Sequence, residues 1–154
     1  MNNDIVKVLT GFCTAMCVWE TACFATDQLE DRWSGVEETC YELDLLLEMQ
    51  EEWLCGIFKK FCIDHSKPTR GATFGSPPEY DPAHFDVTEI DIVKDSATAI
   101  VRQATLLSKG QEVVVDGYEL VHYFLKRVGN VWKLEDRRRH TDLQGRVLQA
   151  WNSL

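Results

Sequence analysis

Several absences narrow what this chain is able to do. It has no Cys-x-x-Cys, no Gly-rich phosphate loop, no Gly-x-Ser-x-Gly nucleophile elbow and no internal repeat. Those gaps argue against thioredoxin-like redox chemistry, nucleotide-phosphate binding and α/β-hydrolase catalysis. Basic residues are outnumbered: 16 Lys and Arg stand against 25 Asp and Glu, for a net charge of −9 and a pI near 4.9. This balance disfavours nucleic acid and anionic membrane as partners and permits a basic protein partner. The start, Met1-Asn2-Asn3-Asp4-Ile5, has no basic region ahead of a cleavable apolar stretch. No run approaches the ~18 apolar residues of a membrane span, so a cytoplasmic protein is expected. What remains is 45% hydrophobic and 27% charged, over 154 residues. That describes one soluble domain, 1–154, able to bury roughly two-thirds of its unfolded surface without staples.

Cysteine is present but confined. Cys13, Cys17, Cys23, Cys40, Cys55 and Cys62 all precede residue 63. Cys13 and Cys17 share a helix face at i, i+4, a spacing that helps build a metal site, but two further ligands at recognisable spacing are missing. Reduced thiols packed as small apolar side chains are expected, with no metal and no cofactor.

Apolar periodicity divides the chain. Ile5, Val8, Phe12, Met16, Trp19 and Cys23 recur every three or four positions, which predicts a helix over 4–25 capped by Asn2, Asn3 or Asp4. Residues 27–34 read as a short helix or a break. Val36, Cys40, Leu43, Leu47 and Leu54 resume the pattern over 36–54, Gly56 interrupts, and Ile57, Phe58 and Phe61 suggest a last short helix. Pro68, Gly71, Gly75, Pro77, Pro78 and Pro82 exclude regular structure over most of 64–84. A loop of that length is either functional or a surface excursion. Strands follow: 87–93 with alternation of Val87, Glu89, Asp91 and Val93 against Thr88, Ile90 and Ile92; 98–107; and a run from Val113 with a bulge or kink at Asp116-Gly117. An amphipathic segment with Val147, Leu148 and Trp151 closes the chain after a cap at Thr141 or Asp142.

Residues 118–139 are the most informative. Two β-rich runs flank Gly129-Asn130, a two-residue hairpin turn that sets the register. Val128 then faces Val131, Arg127 faces Trp132, Leu125 faces Leu134 and Tyr123 faces Asp136. On the other side Lys126 meets Lys133, Phe124 meets Glu135, His122 meets Arg137 and Leu120 meets Arg139. Val121, Tyr123, Leu125, Trp132 and Leu134 make a core face, while Leu120, His122 and Phe124 lie among charges on a half-exposed face. Helices followed by an antiparallel meander imply an α+β fold, helices packed on one side of a curved sheet as a cone.

Certain patterns resemble a known group. Phe12-x-x-x-Met16-x-x-Trp19-Glu20, Ile57-Phe58-x-x-Phe61-Cys62 before Lys67-Pro68, and Pro77-Pro78-x-Tyr80-Asp81-Pro82 leading into a strand are similar to bacterial polymorphic-toxin immunity proteins with a nuclear-transport-factor-2-like fold. The closing hairpin, from Tyr123 through Gly129 and Trp132 to Asp136, is similar to that of the wider superfamily. The resemblance spans about Phe12 to Arg138. It implies a protein, not an enzyme, that binds a cognate toxin domain encoded nearby in the producing cell and occludes it; the oligomeric state, monomer or homodimer, stays open. The family carries no invariant catalytic set, and Phe12, Met16, Trp19 and Trp132 read as core.

Two surfaces are candidates for that partner. One is the outer sheet face, with Leu120, His122, Phe124, Glu135 and Arg137. The other is the acidic helix face, with Glu37, Glu38, Glu48, Glu51 and Glu52. Ten acidic residues and the single base Arg32 lie between Asp27 and Glu52. This is either a solvated face or one that draws in a basic toxin. The alternative is a small-molecule enzyme or binding protein that uses the cone cavity, where Tyr123 and Asp136 stand side by side.

Overall fold

The computed structural model describes residues 2–33, 40–64, 74–140 and 147–150. Two helices, α1 (Asn2–Trp33) and α2 (Cys40–Phe61), precede a 3-10 turn at Pro82–His84. Five strands follow: β1 (Phe85–Val93), β2 (Ser96–Lys109), β3 (Glu112–Val128), β4 (Val131–His140) and β5 (Val147–Ala150). They form one antiparallel sheet in the order β1-β2-β3-β4-β5, each strand beside its sequence neighbour. The fold is α+β, with the helices ahead of the sheet, as the order of periodicities implies.

Both helices run further than expected. Residues 27–33 continue α1 without a break, and α2 passes through Gly56 to Phe61 as one helix. One glycine in a helix interior costs only about 1 kcal/mol, and Leu54, Ile57 and Phe58 on either side are anchored in the core. The segment at 147–150 is a strand paired with β4 where a capped amphipathic segment was expected. The expectation that no stretch reaches membrane-span character also fails for α1. By length and composition alone Asn3–Glu30 is apolar enough to cross a membrane. In this fold Ile5, Leu9, Phe12, Met16, Trp19 and Cys23 of that helix are instead buried in the core.

The core lies between the helices and one sheet face. Leu54, Ile57 and Phe58 of α2 join the α1 residues, and Ala97, Ala99, Val101, Val121, Tyr123, Leu125, Trp132 and Leu134 come from β2, β3 and β4. Phe12 sits at its centre, edge-on to Phe58 at 5.9 Å, Phe61 at 6.0 Å and Tyr80 at 5.7 Å. Gly11 permits this approach, since a Cβ there would lie 3.0 Å from the Phe61 ring. The thiols of Cys13, Cys23 and Cys62 are buried and free. Burial pushes Cys13 up to about 11 and Cys62 to about 12, so they pack as neutral groups.

Bulges decide which side chains face that core. The β3–β4 hairpin has the two-residue Gly129-Asn130 turn, with Gly129 at φ +63°, and its register holds from Val128↔Val131 to Leu125↔Leu134. There β4 carries an extra residue, Glu135. Beyond it Phe124 pairs with Asp136, Tyr123 with Arg137 and His122 with Arg138. One inserted residue reverses every later side chain. A bulge at Thr88 does the same in β1: Phe85 and Val87 before it, and Ile90 and Ile92 after it, all pack on the core. The bulge expected at Asp116-Gly117 is present, as Thr105 pairs with Gly117 and Leu106 with Val115.

Candidate functional site

The β4 bulge turns Arg137 inward. It was expected on the outer sheet face, yet it is fully buried. Its guanidinium lies 4.8 Å from the Tyr80 ring centre and 5.7 Å from that of Tyr123. Nε donates to Tyr123 Oη at 3.2 Å and Nη2 to Gln103 Oε1 at 3.5 Å, and Nη2 is 2.8 Å from Glu79 Oε1. Arg139 also pairs with Glu79. A guanidinium keeps its charge when buried, so it needs such partners; removing one would strand a buried charge.

Glu20 clasps the same loop from the α1 side. Its carboxylate accepts the backbone N–H of Glu79 at 3.2 Å and of Tyr80 at 3.0 Å. Gln103 Nε2 donates to the Glu79 carbonyl. The segment Glu79–Asp81 is thus tied to α1 by Glu20 and to the sheet by Gln103 and Arg137. Burial pushes the Glu20 carboxyl up to about 7, against the pull of loop amides, Arg137 and Arg139. Burial likewise holds the Tyr80 phenol well above its ordinary range. Outside the clasp, Gly75, Glu79, Gln103, Glu119 and Arg139 line a cavity of about 320 Å³.

Tyr123 and Asp136 are not brought together. Tyr123 is buried beside Arg137, with Cys13 Sγ 3.7 Å from its hydroxyl. Asp136 pairs with the outward-facing Phe124, accepts from the Arg137 backbone N–H at 2.8 Å and lies 2.9 Å from Arg138 Nε. The inserted Glu135 is the reason for the separation.

On the outer face Arg138 takes the place expected for Arg137. It is opposite His122, and its guanidinium is 5.0 Å from the Phe124 ring centre. Leu120 is exposed, His122 and Phe124 are half-buried, and the exposed Glu135 is ion-paired with Lys126. Arg102, opposite Leu120, covers Tyr118 at 4.8 Å. Every element of this face is therefore present except Arg137.

On α2, Glu48, Glu51 and Glu52 are exposed, whereas Glu37 and Glu38 lie outside the described residues. The residues that sequence reasoning missed are Tyr41, Leu45, Met49 and Trp53, which are exposed beside those acids. Their signal was available: an apolar residue at every fourth position, off the stripe expected to carry Leu43, Leu47 and Leu54, of which Leu47 is itself exposed. Glu20 was visible within a motif, and its position four residues after the buried Met16 marked it as a carboxylate that needed donors.

In comparisons with known proteins, the chain matches no protein-family model, no curated protein and no solved structure.

Proposed function

We propose that this chain is an immunity protein on a nuclear-transport-factor-2-like cone, which binds a cognate bacterial toxin in the cytoplasm and blocks it by occlusion. The motif resemblance from Phe12 to Arg138 suggests the reading. The observation that carries it is the Arg137 clasp. Enzymes of this architecture keep an acid, a base or a His in the space between helices and sheet. Here that space is filled by groups locked on one another: Arg137 by Tyr123, Tyr80, Gln103 and Glu79, and Glu20, the one buried acid among the described residues, by the backbone N–H groups of Glu79 and Tyr80. Capacity for a large ligand therefore lies on the outside, where apolar side chains are displayed beside acids, Glu48, Glu51 and Glu52, that form no ion pair among the described residues. The mechanism needs no cofactor and no chemistry from the protein itself.

The test is protection. The toxin domain encoded beside this chain is expressed with and without it, survivors are counted, and the pair is co-purified. Survival together with a stable complex is the expected result. Growth arrest in both cultures with no complex rejects the reading.

One observation favours a second reading, a small-molecule binder. The 320 Å³ cavity beside the clasp carries Glu79, Glu119 and Arg139, charges of both signs. A small polar ligand seated there raises the melting temperature saturably, and Arg139→Ala abolishes the rise. A library of such ligands that leaves the melting temperature unchanged rejects this alternative.

A further inference from the structure

We infer that the toxin docks on the outward face of the first half of α2, and that it presents an apolar centre bordered by lysine or arginine. This rests on the immunity reading and adds the surface and its chemistry.

Tyr41, Leu45, Met49 and Trp53 are four residues apart, so they form one slowly winding stripe of about 18 Å. They are 75%, 45%, 57% and 40% exposed, respectively. The core takes Leu54, Ile57 and Phe58 from the end of the same helix and leaves these four at the surface, although Ile57 is the next residue in their row. Asp44, Glu48 and Glu52 each stand three residues beyond a stripe member, so an acidic ridge runs beside the apolar one. Glu51 broadens it, Glu42 stands on the other flank of the stripe, and α2 has no Lys or Arg before Lys59. Among the described residues none of these five acids is ion-paired.

The contrast with the sheet face selects between the two candidate surfaces. On the sheet, Lys126 pairs with Glu135 and Arg138 with Asp136, and Arg102 covers Tyr118. Its charges are largely answered within the molecule. The charges of α2 are not, so their field reaches an incoming cationic surface. The same argument disfavours a second copy on this face, because a two-fold contact would set acidic ridge against acidic ridge. Tyr and Trp at the stripe's ends are the residue types that most often dominate binding energy.

The experiment measures association and dissociation of the full chain with the toxin domain encoded beside it. Trp53→Ala is expected to weaken binding about 30-fold, mainly by faster dissociation. Tyr41→Ala, at the most exposed position, should act in the same direction if Trp53→Ala lowers stability. Glu48→Lys with Glu52→Lys should slow association about 10-fold at low salt and less at high salt. Leu120→Ala on the sheet should bind as the wild type does. Wild-type binding that all the α2 variants retain overturns the docking assignment and leaves the immunity reading standing. So does a loss confined to Leu120→Ala. A homodimer that Trp53→Ala splits identifies the stripe as a self-interface and overturns it too. A wild type that neither binds nor protects brings down the immunity reading and this inference together.

Discussion

From Leu54 to Phe61, α2 buries Leu54, Ile57 and Phe58 and ends stitched to the sheet; from Tyr41 to Trp53 it leaves Tyr41, Leu45, Leu47, Met49 and Trp53 exposed. The stitching is specific. Ile63 N–H donates to the Leu134 carbonyl at 2.8 Å, and Lys133 Nζ donates to the carbonyls of Lys59 and Lys60 at 3.1 and 2.6 Å. The first half is held more lightly. Trp19 Nε1 donates to the Gln50 carbonyl at 3.0 Å, and Gln50 Nε2 donates to Thr26 Oγ1. Leu, Glu, Met and Gln dominate this half, and all have high helix propensity. A helix of such residues persists beyond the surface it packs on. The apolar groups it carries there are free for another purpose.

The sharpest way to break this comparison is truncation in each half. Phe58→Ala removes a ring that is 1% exposed and edge-on to Phe12, and should cost about 3–5 kcal/mol. Met49→Ala should change stability by no more than about 0.5 kcal/mol. Urea denaturation of both variants measures the difference. Equal losses would mean that the first half is packed after all, and the docking stripe would lose its basis.

A second test concerns the buried charge on the packed side. Glu20 has a folded pKa of about 7, above its ordinary 4.5. Between those values the native state binds the extra proton. The stability contribution is therefore fully present below pH 4.5 and is lost as pH rises through 7. The loss amounts to about 3 kcal/mol. Glu20→Gln should remove that slope, so that the wild-type and variant curves converge toward acid and separate toward pH 8. Parallel curves from pH 5 to pH 8 would show that Glu20 is already ionised throughout, with the loop amides and Arg137 outweighing burial.

These elements also show how far the sequence was readable. The α+β order, the Gly129-Asn130 turn and the Asp116-Gly117 bulge were legible, because glycine and apolar spacing leave a local trace. The bulges at Thr88 and Glu135 left none. Neither involves glycine, and a strict alternation carried through Leu134-Glu135-Asp136-Arg137 gives no sign of an inserted residue. That silence misplaced Arg137 and Asp136 together, and with them the proposed Tyr123–Asp136 cavity. What decides the matter is tertiary. Arg137 faces inward because Glu79, from a loop 58 residues earlier, and Gln103 meet it there. The acids Glu48, Glu51 and Glu52 were legible as a face, since helical spacing alone sets them apart from the stripe. The row of Tyr41, Leu45, Met49 and Trp53 was legible in the same spacing; that it is exposed while Ile57, next in the row, is buried depends on how α2 lies against α1, which periodicity does not contain.

The smallest expected effect tests whether the two halves of α2 are energetically separate. Lys133 reaches from β4 to the last carbonyls of the helix, where a cation answers both the unpaired acceptors and the negative end of the helix dipole. The contact is solvent-exposed, so Lys133→Ala should cost only about 0.5 kcal/mol, less at high salt. The informative readout is amide hydrogen exchange. Loss of the cap should speed exchange in the last turn, around Phe58 to Cys62, and leave Tyr41 to Met49 unchanged, because the first half does not depend on that anchor. Faster exchange along the whole helix would show instead that α2 opens as one unit. The exposed stripe would then be stabilised from the packed end, and a partner binding at Trp53 would be felt at Lys133.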